Sequence, residues 1–324
     1  MPREKVAERQ AIPLSFRALA LCIGLSFPLL TISCTGIAVR AAAGIFSGGG
    51  SGGNVFTSDD DPELIGDALP FALKTYEALL AADPKNAELS LATGTAFVGY
   101  AFAYVQTPAD ELPVDDVDTQ LAMHARAKKL FLRAREYVLR GLEIRRPGFR
   151  AALDGQGAAA ALRLARRDDI DYLYWGGAAW LAAFSADPFD FSLLVTVPRA
   201  MALLEQVNAW NESYQKGAVH ELFISFHGSA PPDLGGSVEK AREDFRRAVE
   251  LSGGLTAGPY VALASSVSVK TQNPAEFRDL LDKALAVNVD ALPAQRLTNI
   301  INQRKARWML DHADRFFLEG QGSE

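Results

Sequence analysis

The chain has 324 residues, 49% hydrophobic and 22% charged, which suits a folded protein with one or two cores and argues against disorder over most of its length. Its formal net charge of −6 comes from acidic and basic residues mixed along the same segments, so there is no basic patch and nucleic acid is not an expected partner. Its two cysteines, Cys22 and Cys34, both lie near the N-terminus, so the remainder has no thiol for a disulfide, a zinc site or a nucleophile.

At the N-terminus, Arg3, Lys5, Arg9 and Arg17 precede an apolar run from Ala18 to Leu30. That run is shorter than the roughly 20 residues a spanning helix needs, and its layout is that of a secretory signal. It ends in Leu29-Leu30-Thr31-Ile32-Ser33-Cys34, which resembles the bacterial lipobox, although Thr31 stands where Leu is usual. The expectation is a signal peptide over 1–33 and acylation of Cys34. An ordinary cleavable signal or an uncleaved anchor would still export the chain. Acyl chains hold a domain to a membrane by burying methylenes, and the run FSGGGSGGN (46–54) reads as the tether behind the anchor, giving a linker over 34–58. Three of its glycines match G-x-G-x-x-G, but no strand precedes them and no helix opens on them, so they do not form a nucleotide loop. Thr35 follows the cysteine where Asp would favour inner-membrane retention, which points to the periplasmic side of the envelope and to the outer rather than the inner membrane.

From 59 to 324 the sequence changes to Ala- and Leu-rich stretches at helical spacing, broken by Pro, Gly, Asn and Asp, with no confident strand. Leu69, Leu73, Tyr76 and Leu80 share one helical face, Asp83-Pro84 stops that helix, and Asn86 starts another. Helix, short turn, helix is the tetratricopeptide plan. Four segments superpose with an apolar residue first and fifth: Tyr76 to Leu80, Val138 to Leu142, Phe245 to Val249, and Leu281 to Leu285. The last two start 36 residues apart, close to the roughly 34-residue tetratricopeptide period. The fold class is therefore all-α: stacked helical hairpins with degenerate repeats, forming a compact α-solenoid. The competing reading is an irregular helical bundle.

Two stretches combine aromatic rings with Gly and Ala. One carries Phe97, Tyr100 and Tyr104, and the other Tyr172, Tyr174, Trp175 and Trp180. Such stripes usually form core, but they also suit the lining of a channel for an apolar or amphipathic ligand. The histidines, His124, His220, His227 and His312, make no metal motif. His220-Glu221 begins H-E-x-x-H, yet Ile224 stands where the second His is required, and a seven-residue gap to His227 is too long to clasp one metal. No G-x-S-x-G elbow is present. No catalytic residue, metal or cofactor is expected.

Asp59-Asp60-Asp61-Pro62-Glu63-Leu64, the following ALPFALKTYEALLAADPKN, LATGTAFVGYAFAYV and ARAKKLFLRAREYVLRGLE together resemble the TatT family of tetratricopeptide-like lipoproteins associated with tripartite ATP-independent periplasmic (TRAP) transporters. Gly235 to Gly254, Pro259 to Val269 and Gln303 to Leu318 extend the resemblance over nearly everything after Ser58. It implies a homotrimer, a pore-like channel through each protomer, and docking of the transporter's substrate-binding subunit. It supplies no catalytic or ligand-contacting residue. A general tetratricopeptide scaffold for envelope assembly and an envelope hydrolase are the alternatives.

Overall fold

In the computed structural model the described residues are 55–318, and among them every regular element is helical. The signal segment, Cys34 and the Gly/Ser run lie outside these residues. Helix α1 (Pro62–Ala82) starts where Asp61 accepts a hydrogen bond from the Leu64 amide at 3.0 Å and Pro62 fills the first helical position, whose N–H would have no partner. Helix α2 (Ala87–Ala101) starts in the same way at Asn86, which accepts from the Leu89 amide at 2.9 Å. It continues through a π turn, Phe102–Gln106, into Thr107–Asp110.

The long helix α3 (Val117–Arg145) organises the first half. Ala127, Phe131, Ala134, Val138 and Leu142 recur every three or four residues along it and are all completely buried, between α2 on one side and α6 (Ile170–Ala186) on the other. The short helices α4 (Phe149–Gly155) and α5 (Ala158–Leu162) fill the turn between α3 and α6. Helix α7 (Val197–Trp210) folds back on α6 so closely that a Cβ on Gly177 would come 2.7 Å from Leu204 Cγ. Glycine is what permits that approach.

The second half repeats the hairpin plan with α8 (Ala218–Ser229) against α9 (Val238–Ser252), then α10 (Gly258–Leu263), which runs into a second π turn (Ala264–Ser268), against α11 (Pro274–Leu285). Phe277 is its largest anchor, fully buried against the rings of Phe316 and Phe317. Stacked hairpins define the all-α, tetratricopeptide-like architecture expected from the repeats. The four superposed segments fall near the C-terminal ends of α1, α3, α9 and α11. Three of them bury their first residue, whereas Phe245 and Val249 are half-buried because α9 turns Ala241, Asp244 and Ala248 inward instead.

Helix α12 (Arg296–Asp311) returns to the beginning of the domain. Leu297 and Ile301 pack with Ile65 and Leu69, Arg304 pairs with Glu63, Lys305 lies 3.2 Å from Asp110, and the Leu297 amide donates to the Thr57 carbonyl at 3.0 Å. A solenoid must shield the apolar face of the repeat at each end, ordinarily with a polar capping repeat. Here the first and last helices cover one another.

Candidate functional site

The seven sequence-marked rings divide into separate surroundings. Phe97, only 3% exposed, stacks on Tyr137 at 5.8 Å beneath the Arg133 guanidinium. Tyr100 and Tyr104 are half-buried and stack on each other at 5.9 Å. The Tyr100 hydroxyl accepts from Arg126 at 3.2 Å; the Tyr104 hydroxyl donates to the Pro62 carbonyl at 2.8 Å, and burial pushes it up to about 12. On α6, Tyr172 is buried below Arg145 and Trp180 below Arg135, with the Trp180 indole N–H donating to Thr196 Oγ1 at 2.8 Å. Helices α2 and α6 meet through Phe97 and Ala179, in one small cluster with Leu73 and Ala134. Tyr100 packs against this cluster and also against the α1 and α12 residues that hold Tyr104, whereas Tyr172 and Tyr174 sit with α3 and α7.

Tyr174 and Trp175 form the third group. Their rings meet edge to face at 5.1 Å, and the Tyr214 ring lies 5.0 Å from Tyr174. The Tyr214 hydroxyl donates to Asp171 at 2.5 Å; burial and then the adjacent carboxylate push its ionisation far up, so it stays protonated. Helix α8 adds Leu222 and Phe226 to the same cluster and brings Glu221 close enough to Tyr174 for the carboxylate to raise the phenol's ionisation, which burial already raises most.

Glu221 is the residue that sequence reading passed over, since it drew notice only as the second position of an incomplete H-E-x-x-H. Its side chain is half-buried. A Cβ on Gly258 would lie 2.0 Å from Glu221 Oε1, so α10 offers the carboxyl a bare backbone to rest on. Burial alone pushes this carboxyl up to about 7; no charged neighbour or hydrogen-bond donor contributes.

On the same helix the two histidines face a different chemistry. His220 Nδ1 and His227 Nδ1 each lie 2.8 Å from one oxygen of Asp244 on α9, so the carboxylate acts as acceptor and each histidine carries its proton on Nδ1. Burial opposes ionisation of Asp244, but the two histidine hydrogen bonds outweigh it and hold the carboxyl below its usual range. This fixes α8 to α9. Among the described residues no group of three or more His, Cys, Asp or Glu is arranged to hold a metal ion. A groove of about 440 Å³ on the outside of α3 is walled by Arg133, Arg140 and Arg150 together with Glu136 and Glu143, a mixed-charge surface.

The model of the TRAP transporter T-component family matches residues 58–317, nearly all of the described helical array. The chain belongs to the TRAP transporter T-component family. It is also 37% identical over 268 residues to an uncharacterized protein of Treponema pallidum (strain Nichols), covering 82% of this chain and 83% of that one. A T-component is an accessory part of a TRAP-type transporter. Among the described residues of this T-component no helix is long and apolar enough to cross a membrane.

Proposed function

We propose that this T-component is a non-enzymatic accessory protein, exported by its N-terminal signal and lipid-anchored through Cys34 on the periplasmic side of the envelope, in the outer membrane. It docks the soluble substrate-binding subunit of its transporter. The observation that carries this reading is the family match across 58–317, the whole stack and not one hairpin. In the same reading it assembles as a homotrimer, and Tyr100, Tyr104, Tyr174 and Trp175 border the path of an apolar or amphipathic ligand. The part-exposed positions of Tyr100, Tyr104 and Trp175 support that role for them; the deep burial of Phe97, Tyr172 and Trp180 gives those rings a packing role beside it.

The test is retention of a purified TRAP substrate-binding subunit from the same organism on the immobilised full-length protein. Saturable retention is expected. Equal retention of an unrelated periplasmic binding protein, or none of the cognate subunit, would remove the docking role.

A further inference from the structure

We propose that the arginine-lined groove along the outer face of α3 is the surface that seats the transporter's substrate-binding subunit, through a segment of that subunit carrying spaced acidic side chains. The inference rests on the proposed docking role and gives it a place and a chemistry.

The groove has two chambers. The first, of about 440 Å³, is walled by Arg133, Arg140 and Arg150; the second, of about 360 Å³, runs from Arg135 to Arg199 on α7, over Leu139, Leu153 and Trp180. Glu136 and Arg150 line both and are joined to each other at 2.5 Å, so one ion pair bridges an otherwise continuous trough. Guanidiniums outnumber the carboxylates available to them. Glu136 serves Arg150 and, at 3.1 Å, Arg135; Asp154 reaches Arg199 at only 3.3 Å; and Arg133 turns to Glu77 on α1. The two remaining acids of the lining are engaged elsewhere: Glu143 accepts from the Gly148 and Arg150 amides at 2.8 and 2.9 Å, and Asp190 holds Lys128 at 2.6 Å. Among the described residues no carboxylate pairs with Arg140, whose Nη2 donates to the Pro84 carbonyl at 2.7 Å, and Arg135 Nε is buried without a partner. A surplus of guanidinium donors is met by carboxylates from outside, in paired, directional hydrogen bonds. Beside Arg140, the half-buried Tyr137 and Ile144 offer an apolar rest for a neighbouring side chain, and arginine with aromatic residues is the composition enriched where proteins dock. The interspersed Glu136, Glu143 and Asp154 would repel a continuous run of negative charge, such as a nucleic acid or an anionic membrane, whereas acidic side chains spaced along a protein segment can pass between them.

The experiment is the subunit-retention assay, run on full-length variants as a titration. Arg140→Glu should weaken retention about tenfold or more and Arg140→Ala by a smaller factor, and raising the salt from about 0.05 to about 0.5 M should weaken the wild type more than Arg140→Ala. Arg140→Ala gives up one hydrogen bond at a half-buried position, so it carries the same test if the glutamate disturbs α3. Lys283→Glu on α11, where Lys283 pairs only with the exposed Asp279 at 2.6 Å, changes the net charge by as much as Arg140→Glu and should leave retention unchanged. Wild-type retention that is unaltered in both Arg140 variants, or lost equally in Lys283→Glu, would overturn the groove as the docking surface; so would Arg140-dependent binding to phosphatidylglycerol vesicles with subunit retention intact. No retention by the wild type would instead refute the docking role itself.

Discussion

Two carboxylates, one in each half of the molecule, show how differently the same group can be used. At the junction of α3 and α6, Asp169 is fully buried and its acceptor capacity is taken up by two guanidiniums and a backbone amide. On α8, Glu221 is half-buried, and among the described residues it has neither a donor nor a cation. The first arrangement holds a chain junction in one geometry, because removing any member strands a charge away from water. The second leaves partial burial unopposed, which raises the carboxyl's affinity for its proton.

The comparison can be broken by substitution. Asp169→Asn should have the largest effect, a loss of about 3–5 kcal/mol in denaturant unfolding, because Arg145 and Arg146 keep their charge, lose the buried carboxylate and retain only the exposed Asp168. A loss under about 1 kcal/mol would mean that solvent already satisfies both arginines.

Glu221→Gln should act in the opposite direction and only at the higher pH. The folded-state value near 7 lies above the ordinary 4.5, so between those values the folded protein binds the proton more tightly and its stability falls as pH rises through the window. By pH 8 the wild type should have lost about 3 kcal/mol through this group, a penalty the glutamine variant lacks, while near pH 4 the two should be equal. Urea unfolding of both proteins at the two pH values measures it, and parallel pH curves would place Glu221 in contact with solvent.

Asp244→Asn should have a smaller effect, about 1–3 kcal/mol, since the α8–α9 packing remains when the histidine hydrogen bonds are weakened. The sign with pH is set by the depressed carboxyl: the clip's contribution is present above the ordinary carboxylate range and lost as pH falls through the folded-state value. A wild-type and variant pair that converge in acid would agree with this; a constant difference would assign the effect to packing.

Much of the architecture was already written into local sequence. Asp61-Pro62, Asn86 and Asn273 mark helix starts because a side-chain oxygen next to a helical stretch captures amides the helix cannot satisfy itself, and each caps its helix in the structure. The apolar faces of α1 and α3 followed from their spacing, and the family followed from the succession of such segments. Tertiary structure decided three further things. It covered the first helix with the last, a contact between Glu63 and Arg304 that no local period encodes. It sorted the aromatic rings, burying Phe97 and Trp180 and leaving Tyr100 and Trp175 partly open, although all lie in stretches of the same composition. And it isolated Glu221 while pairing its neighbour His220, because which face of α8 meets Asp244 and which meets Gly258 depends on where α9 and α10 pack. Helix caps and periodicity are set by residues within a turn or two of each other and can be read along the chain. The burial of a charge and the absence of its partner are set by residues that meet only once the chain has folded.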